Sequence, residues 1–178
     1  MRRLSESAGE KVLSRGSAEQ VGALRHVVVD PAAGRIVALH VDGRKKKAQL
    51  VDWDQVVGFG PDAIVVEGED ALRSPAGDHE LEVASGKLDL VGRLVLDDAG
   101  DALGTLSDLE FDEETGALEA LVVGEHRCDP GRLRAIGPYC VIVAAQGALG
   151  QAAPVAGELT AGSTAKGEVI AGPPAPPA

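Results

Sequence analysis

The sequence predicts an all-β chain: two tandem small antiparallel units followed by a disordered C-terminal tail. Three observations lead there. The chain repeats itself internally, both copies consist of short β-branched runs bounded by turn residues, and the last thirty residues hold few large apolar side chains.

The repeat has an offset of 82 in its first part. Val21-Gly22-Ala23-Leu24 matches Leu103-Gly104-Thr105-Leu106, and Asp30, Gly34, Ile36, Leu39 and Val41 match Asp112, Gly116, Leu118, Leu121 and Val123. Later the offset falls to 77, where Gly60-Pro61 through Val66 matches Gly137-Pro138 through Val143. The difference is lost where the first copy carries Gly43-Arg44-Lys45-Lys46-Lys47, in a loop, where insertions are tolerated.

Taken in order, His26–Val29, Ile36–Val41 and Ile64–Val66 read as strands of the first unit, and Leu109–Phe111, Leu118–Val123 and Val141–Val143 as their counterparts. Asp30-Pro31-Ala32-Ala33-Gly34 and Asp112-Glu113-Glu114-Thr115-Gly116 read as hairpin turns, each ending on a glycine for a positive φ. Gly22 and Gly104 are expected at a bulge or bend. Leu50–Val57 reads either as a short helical turn or as an irregular crossing segment. The units span residues 1–73 and 86–147, residues 74–85 form a linker, and 148–178 form the Ala/Gly/Pro-rich tail. Each unit is small enough to be marginal alone, so docking of the two is expected to bury further area.

Apolar residues make up 44% of the chain and aromatic residues 2%, so the core must be aliphatic. No stretch approaches the ~18 apolar residues of a membrane helix, and no signal-peptide apolar run follows the start, which leads to a cytoplasmic expectation. Cys128 and Cys140 are too few for a disulfide framework and read as buried thiols near the ends of neighbouring strands. The net charge is −11, and residues 76–150 alone carry −10 while residues 1–75 are neutral. That balance disfavours nucleic acid as a partner, because phosphate contacts need a positive surface.

The pattern resembles the PRC-barrel family. The second copy carries it most clearly, in Leu90-Val91-Gly92-Arg93-Leu94-Val95, Gly100, Leu103-Gly104, Leu106, Asp108, Phe111-Asp112, Thr115-Gly116, Leu118 and Leu121-Val122-Val123. The first copy adds Val51–Val57 and Asp62–Val66, with Val51-Asp52 where a proline is usual. The resemblance implies a small β-barrel, no shared catalytic residues, and a theme of docking to macromolecules. Its members include a ribosome maturation factor and the reaction-centre H subunit. The additional domain of the first and the membrane helix of the second have no counterpart in this sequence.

The candidates for chemistry are few. His126-Arg127-Cys128, with Cys140 and His79, lacks the paired spacing of a zinc site. Asp97-Asp98-Ala99-Gly100-Asp101 lacks the alternating ligands of a calcium loop, and Asp112-Glu113-Glu114 sits at a hairpin tip rather than in a cleft. His26 and His40 lie on strands without an evident constellation. No phosphate loop, nucleophile elbow or dinucleotide fingerprint occurs, so no catalytic residue, metal or cofactor is assigned. Arg44, Lys45, Lys46 and Lys47 form the one basic cluster, which either meets an anionic partner or guards a hairpin edge. Trp53 either anchors an interface or packs across the open end of the first unit.

The function expected from the sequence is a non-enzymatic cytoplasmic adaptor or scaffold that binds proteins, with homo-oligomerisation also open. The alternatives are an accessory subunit docking on the cytoplasmic face of a photosynthetic or transport-related membrane complex, and a ribosome- or RNA-associated factor.

Overall fold

The computed structural model describes residues 1–43 and 48–146. The expected tail at 148–178 lies outside these residues. Alternating β-branched sequence produces fourteen described strands, in two sheets. The first sheet contains β2 (Lys11–Ser14), β3 (Gln20–Asp30), β4 (Arg35–Gly43), β5 (Ala48–Asp52), β6 (Val56–Phe59), β7 (Ile64–Val66) and β8 (Leu72–Arg73). The second contains β1 (Arg2–Arg3), β9 (Leu94–Asp97), β10 (Ala102–Phe111), β11 (Leu118–Val123), β12 (His126–Cys128), β13 (Leu133–Ile136) and β14 (Cys140–Val143).

The sheets are copies of each other. One runs β6-β7-β2-β3-β4-β5 and the other β13-β14-β9-β10-β11-β12. The units are not antiparallel throughout, as the sequence reading had them. Val12 on β2 runs parallel to Ile64 on β7, and Val95 on β9 runs parallel to Val141 on β14. A 3₁₀ turn carries the chain from one end of each sheet to the other, Trp53–Gln55 in the first and Pro130–Arg132 in the second. The parallel pair is the consequence of that crossing, because β7 and β14 return beside the first strand of their unit rather than by a hairpin.

Both glycines of the expected pair lie at bulges. Gly104 has φ +130° at a register shift between β9 and β10, which is the anticipated bulge. Gly22 also flanks a register shift, between β2 and β3, and is needed there for close approach as well, because a Cβ would lie 2.6 Å from the Asp42 carbonyl oxygen.

The two units exchange their leading segments. The N-terminal residues leave their own unit: β1 pairs with β10, Arg2 opposite Phe111 and Arg3 opposite Glu110, and helix α1 (Leu4–Ser7) packs beside it. The chain then joins its own sheet, where Gly9 N donates to Leu24 O and Leu24 N to Glu10 O. The second leader repeats this, with Leu88, Asp89 and Leu90 beside Arg25–Val27 of β3 before Gly92 N donates to Leu106 O and Leu106 N to Arg93 O. A single core therefore runs through both units, from Val12, Leu24 and Ile64 to Val95, Leu106 and Val141; it is mostly aliphatic but, against the expectation, also takes in Trp53, Phe59 and Phe111.

The segment read as linker does more than connect. Within it Asp78–Ala84 forms a second helix, α2, and Val83 with Leu88 covers Val28, Ala38 and Leu50 on the outer face of the first sheet. Arg73 fastens it by pairing with Asp52 and Glu80 at 2.6 Å each. That contact holds the Glu80 carboxyl below its usual range.

Candidate interaction site at the junction of the two units

The two hairpin turns are built alike. Asp30 Oδ1 accepts from the backbone N–H of Ala32 at 2.8 Å and Ala33 at 3.2 Å, and Asp112 Oδ1 accepts from Glu114 at 3.2 Å and Thr115 at 2.8 Å. Hydrogen bonds donated by the Thr115 hydroxyl and backbone N–H keep the Asp112 carboxyl below the ordinary carboxylate range. Gly34 and Gly116 close the turns at φ +61° and +72°, a region open to glycine. The turns then meet. Ile36 N donates to Gly116 O at 2.8 Å, and Leu118 N donates to Gly34 O at 2.9 Å. These are the same bond twice, so the chain has an internal pseudo-twofold axis between its turns.

Trp53 seals one side of this axis. It opens its 3₁₀ turn, is 5% exposed, and lies over Gly116 of the other unit. Its ring stacks on Phe59 at 5.8 Å and meets Phe111 edge-on at 6.1 Å, while Nε1 donates to Glu114 O at 3.4 Å. Three of the four aromatic residues in the chain thus gather at one junction. Arg2 lies over the Phe59 ring and pairs with Glu10 at 2.6 Å. Of the two roles weighed for Trp53, the structure places it at an interface, but an internal one. The ring is enclosed by the second unit and is not surface for a partner.

The cluster Arg44–Lys47 lies outside the described residues. The strands that flank it are described, and their last pair is Asp42 opposite Ala48. The equivalent connection in the second unit is the two residues Gly124-Glu125.

The other sequence candidates are dispersed. Asp97 Oδ1 accepts from the N–H groups of Ala99 and Asp101, which makes that acidic segment a turn. Cys128 ends β12 and Cys140 opens β14; both are free thiols, and β11, β10 and β9 separate their strands. They are therefore not on neighbouring strands, because the crossing turn sends the chain to the far edge of the sheet. His126, Arg127 and Cys128 line a cavity of about 630 Å³ together with Asp97, Asp101 and Arg132. Among the described residues no group of three or more His, Cys, Asp or Glu side chains is disposed to hold a metal.

Sequence reading missed the buried polar groups that hold the leaders. Asp108, 7% exposed, accepts from Ser5 N at 3.0 Å and from Ser5 Oγ. Glu110, 4% exposed, pairs with Arg3 at 3.3 Å and with Arg127. At the position of Asp108 the first unit has His26, whose ring stacks on His40 at 5.4 Å and whose Nδ1 lies 3.6 Å from Asp89. His40 is buried with no partner on Nδ1 among the described residues, and burial, then the adjacent His26, lowers its pKa. Only the acidic residues inside the β10 run, Asp108 and Glu110, signalled these contacts.

No curated protein matches the chain. A sequence model of the PRC-barrel domain matches residues 1–72 and again 88–141, the stretches that supply the two six-strand runs of identical order, with β1 of the first stretch lent to the second sheet. The chain belongs to the PRC-barrel family, with two such domains fused about one axis.

Proposed function

We propose that the chain is a non-enzymatic adaptor that binds proteins through its paired barrels. The observation that carries this reading is the use made of the buried charged groups. Buried Asp108 is engaged by Ser5 and buried Glu110 by Arg3 and Arg127, in contacts that lock the N-terminal leader. A carboxylate committed to such contacts is poorly placed for proton transfer to a substrate. The result is a preformed body, suited to presenting surfaces without rearrangement.

A second reading is docking on an anionic surface through Arg44–Lys47, since the connection between β4 and β5 carries four basic residues where its counterpart in the other unit is Gly124-Glu125. Affinity capture of the full chain from its native cell, followed by mass spectrometry, tests both. A stoichiometric protein partner retained when Arg44, Lys45, Lys46 and Lys47 are all changed to Gln supports the first reading. Recovery with membranes or ribosomes that is abolished by those changes supports an accessory role instead. Turnover of a small molecule by the purified chain would overturn the adaptor reading.

A further inference from the structure

The pseudo-twofold axis pairs every part of the Trp53 seat with a counterpart. Pro130 opens its 3₁₀ turn where Trp53 opens the other, Leu133 and Arg134 stand for Val56 and Val57, and the turn 31–34 stands for 113–116. Main-chain geometry agrees at both places. Gly34 N donates to Asp30 O at 2.9 Å, as Gly116 N does to Asp112 O, and each glycine oxygen accepts from the opposite unit. The contents differ. A Cβ on Gly116 would lie 2.7 Å from the Trp53 ring, whereas a Cβ on Gly34 would find nothing within 4 Å. Where the indole would lie, there is a notch of about 410 Å³, walled by the turn 31–34 on one side and by Pro130, Gly131, Leu133 and Arg134 on the other. That volume falls in the range of about 300–1,000 Å³ usual for small-ligand pockets.

We propose that this notch seats an aromatic side chain of a protein partner, a tryptophan with a carboxylate beside it. The proposal rests on the adaptor reading and names the partner's chemistry. The aromatic choice comes from the chain itself, which fills the equivalent place with an indole stacked against a hairpin turn. The carbonyl of Glu114 accepts the Trp53 N–H, and Ala32 is its counterpart in a turn of the same hydrogen bonding. The carboxylate follows from Arg134, the one charged side chain on the wall among the described residues. Tryptophan and arginine are also the residues that dominate protein interfaces. The partner's ring would enter from solvent, because Ala32 and Ala33 are exposed and Arg134 lies on an exposed strand position.

The test uses the full ¹⁵N-labelled chain and two probes, N-acetyl-tryptophan and N-acetyl-tryptophanamide. Saturable amide shifts at Ala32, Ala33, Gly34 and Gly131 are expected with both. The carboxylate-bearing probe should bind about three- to fivefold tighter, an advantage lost in Arg134→Gln. Pro130→Trp, which restores the symmetric filling, should abolish both responses without lowering the melting temperature. If that variant fails to fold, Ala33→Glu on the exposed turn replaces it and should weaken the carboxylate probe selectively. Absence of saturable shifts in the parent chain, or shifts centred on Trp53, overturns the proposal. So does concentration-dependent self-association lost in both Pro130→Trp and Tyr139→Ala, which would give the notch to the 78% exposed Tyr139 of a second copy. A native partner captured equally by parent and Pro130→Trp sinks the notch and leaves the adaptor reading standing.

Discussion

Gly34 and Gly116 are exchanged by the internal axis: each accepts a hydrogen bond through its carbonyl from the residue two places beyond the other, at 2.9 and 2.8 Å. The two positions share backbone conformation but not surroundings, which separates strain from packing in one comparison. Gly34→Ala is expected to cost about 1–2 kcal/mol, the left-handed penalty alone. Gly116→Ala adds overpacking of about 1–3 kcal/mol against Trp53 and the Ile36 carbonyl. Urea denaturation of the two variants measures the difference, and equal losses would mean that the Trp53 contact is loose.

Trp53→Ala removes the ring shared by Phe59, Phe111 and Gly116. A loss of about 3–5 kcal/mol in unfolding free energy is expected. Trp53→Phe should recover most of it, lacking the N–H that reaches Glu114. Because the ring joins the units, calorimetry is expected to show one unfolding transition in the parent and two in Trp53→Ala.

The N-terminal leader is held through Ser5. Ser5→Ala removes the hydroxyl donor from buried Asp108 and should cost about 1–3 kcal/mol. Faster amide exchange should follow at the backbone N–H groups of residues 2–5, with little change at β2. Uniform acceleration throughout the chain would show that the leader does not open separately.

His40 gives a pH dependence of definite sign. Burial, its largest cause, lowers the folded pKa below the ordinary 6.5, with His26 adding to it, so as pH falls below 6.5 the unfolded chain takes up a proton that the folded chain resists. Stability from this group is full above pH 6.5 and declines as pH drops toward the folded pKa. His40→Val, which supplies the residue found at the equivalent Val122, should flatten that decline relative to the parent. Identical stability profiles for parent and variant between pH 7 and 5 would rule it out.

Removing everything after Gly150 should change the melting temperature by less than about 2 °C. The described core closes at Ala144, whose carbonyl accepts from Arg132 and whose side chain is fully buried. A larger loss would mean that apolar residues such as Val169 or Ile170 contribute to folding.

The duplication, the strands at 26–29, 36–41, 64–66 and their partners, and the two Asp-to-Gly turns were all legible in the sequence. Each is a local matter of β-branched runs, turn chemistry and a constant offset, and strand periodicity is written residue by residue. The helix at Asp78–Ala84 was not legible as structure, because its one deeply buried residue, Val83, makes no apolar stripe and its order comes from the sheet beneath it.

What the sequence determined by itself was the pair of barrels and their family. How the pair is joined belongs to the tertiary structure alone: the exchanged leaders, the aromatic junction, the stacked histidines and the difference between the Trp53 and Pro130 sides. His26 meets His40 only because strand register sets them opposite, and Trp53 meets Gly116 only because two turns 82 residues apart dock about one axis. Such contacts are decided when whole surfaces are brought together, and no local pattern encodes which partner a buried group will find.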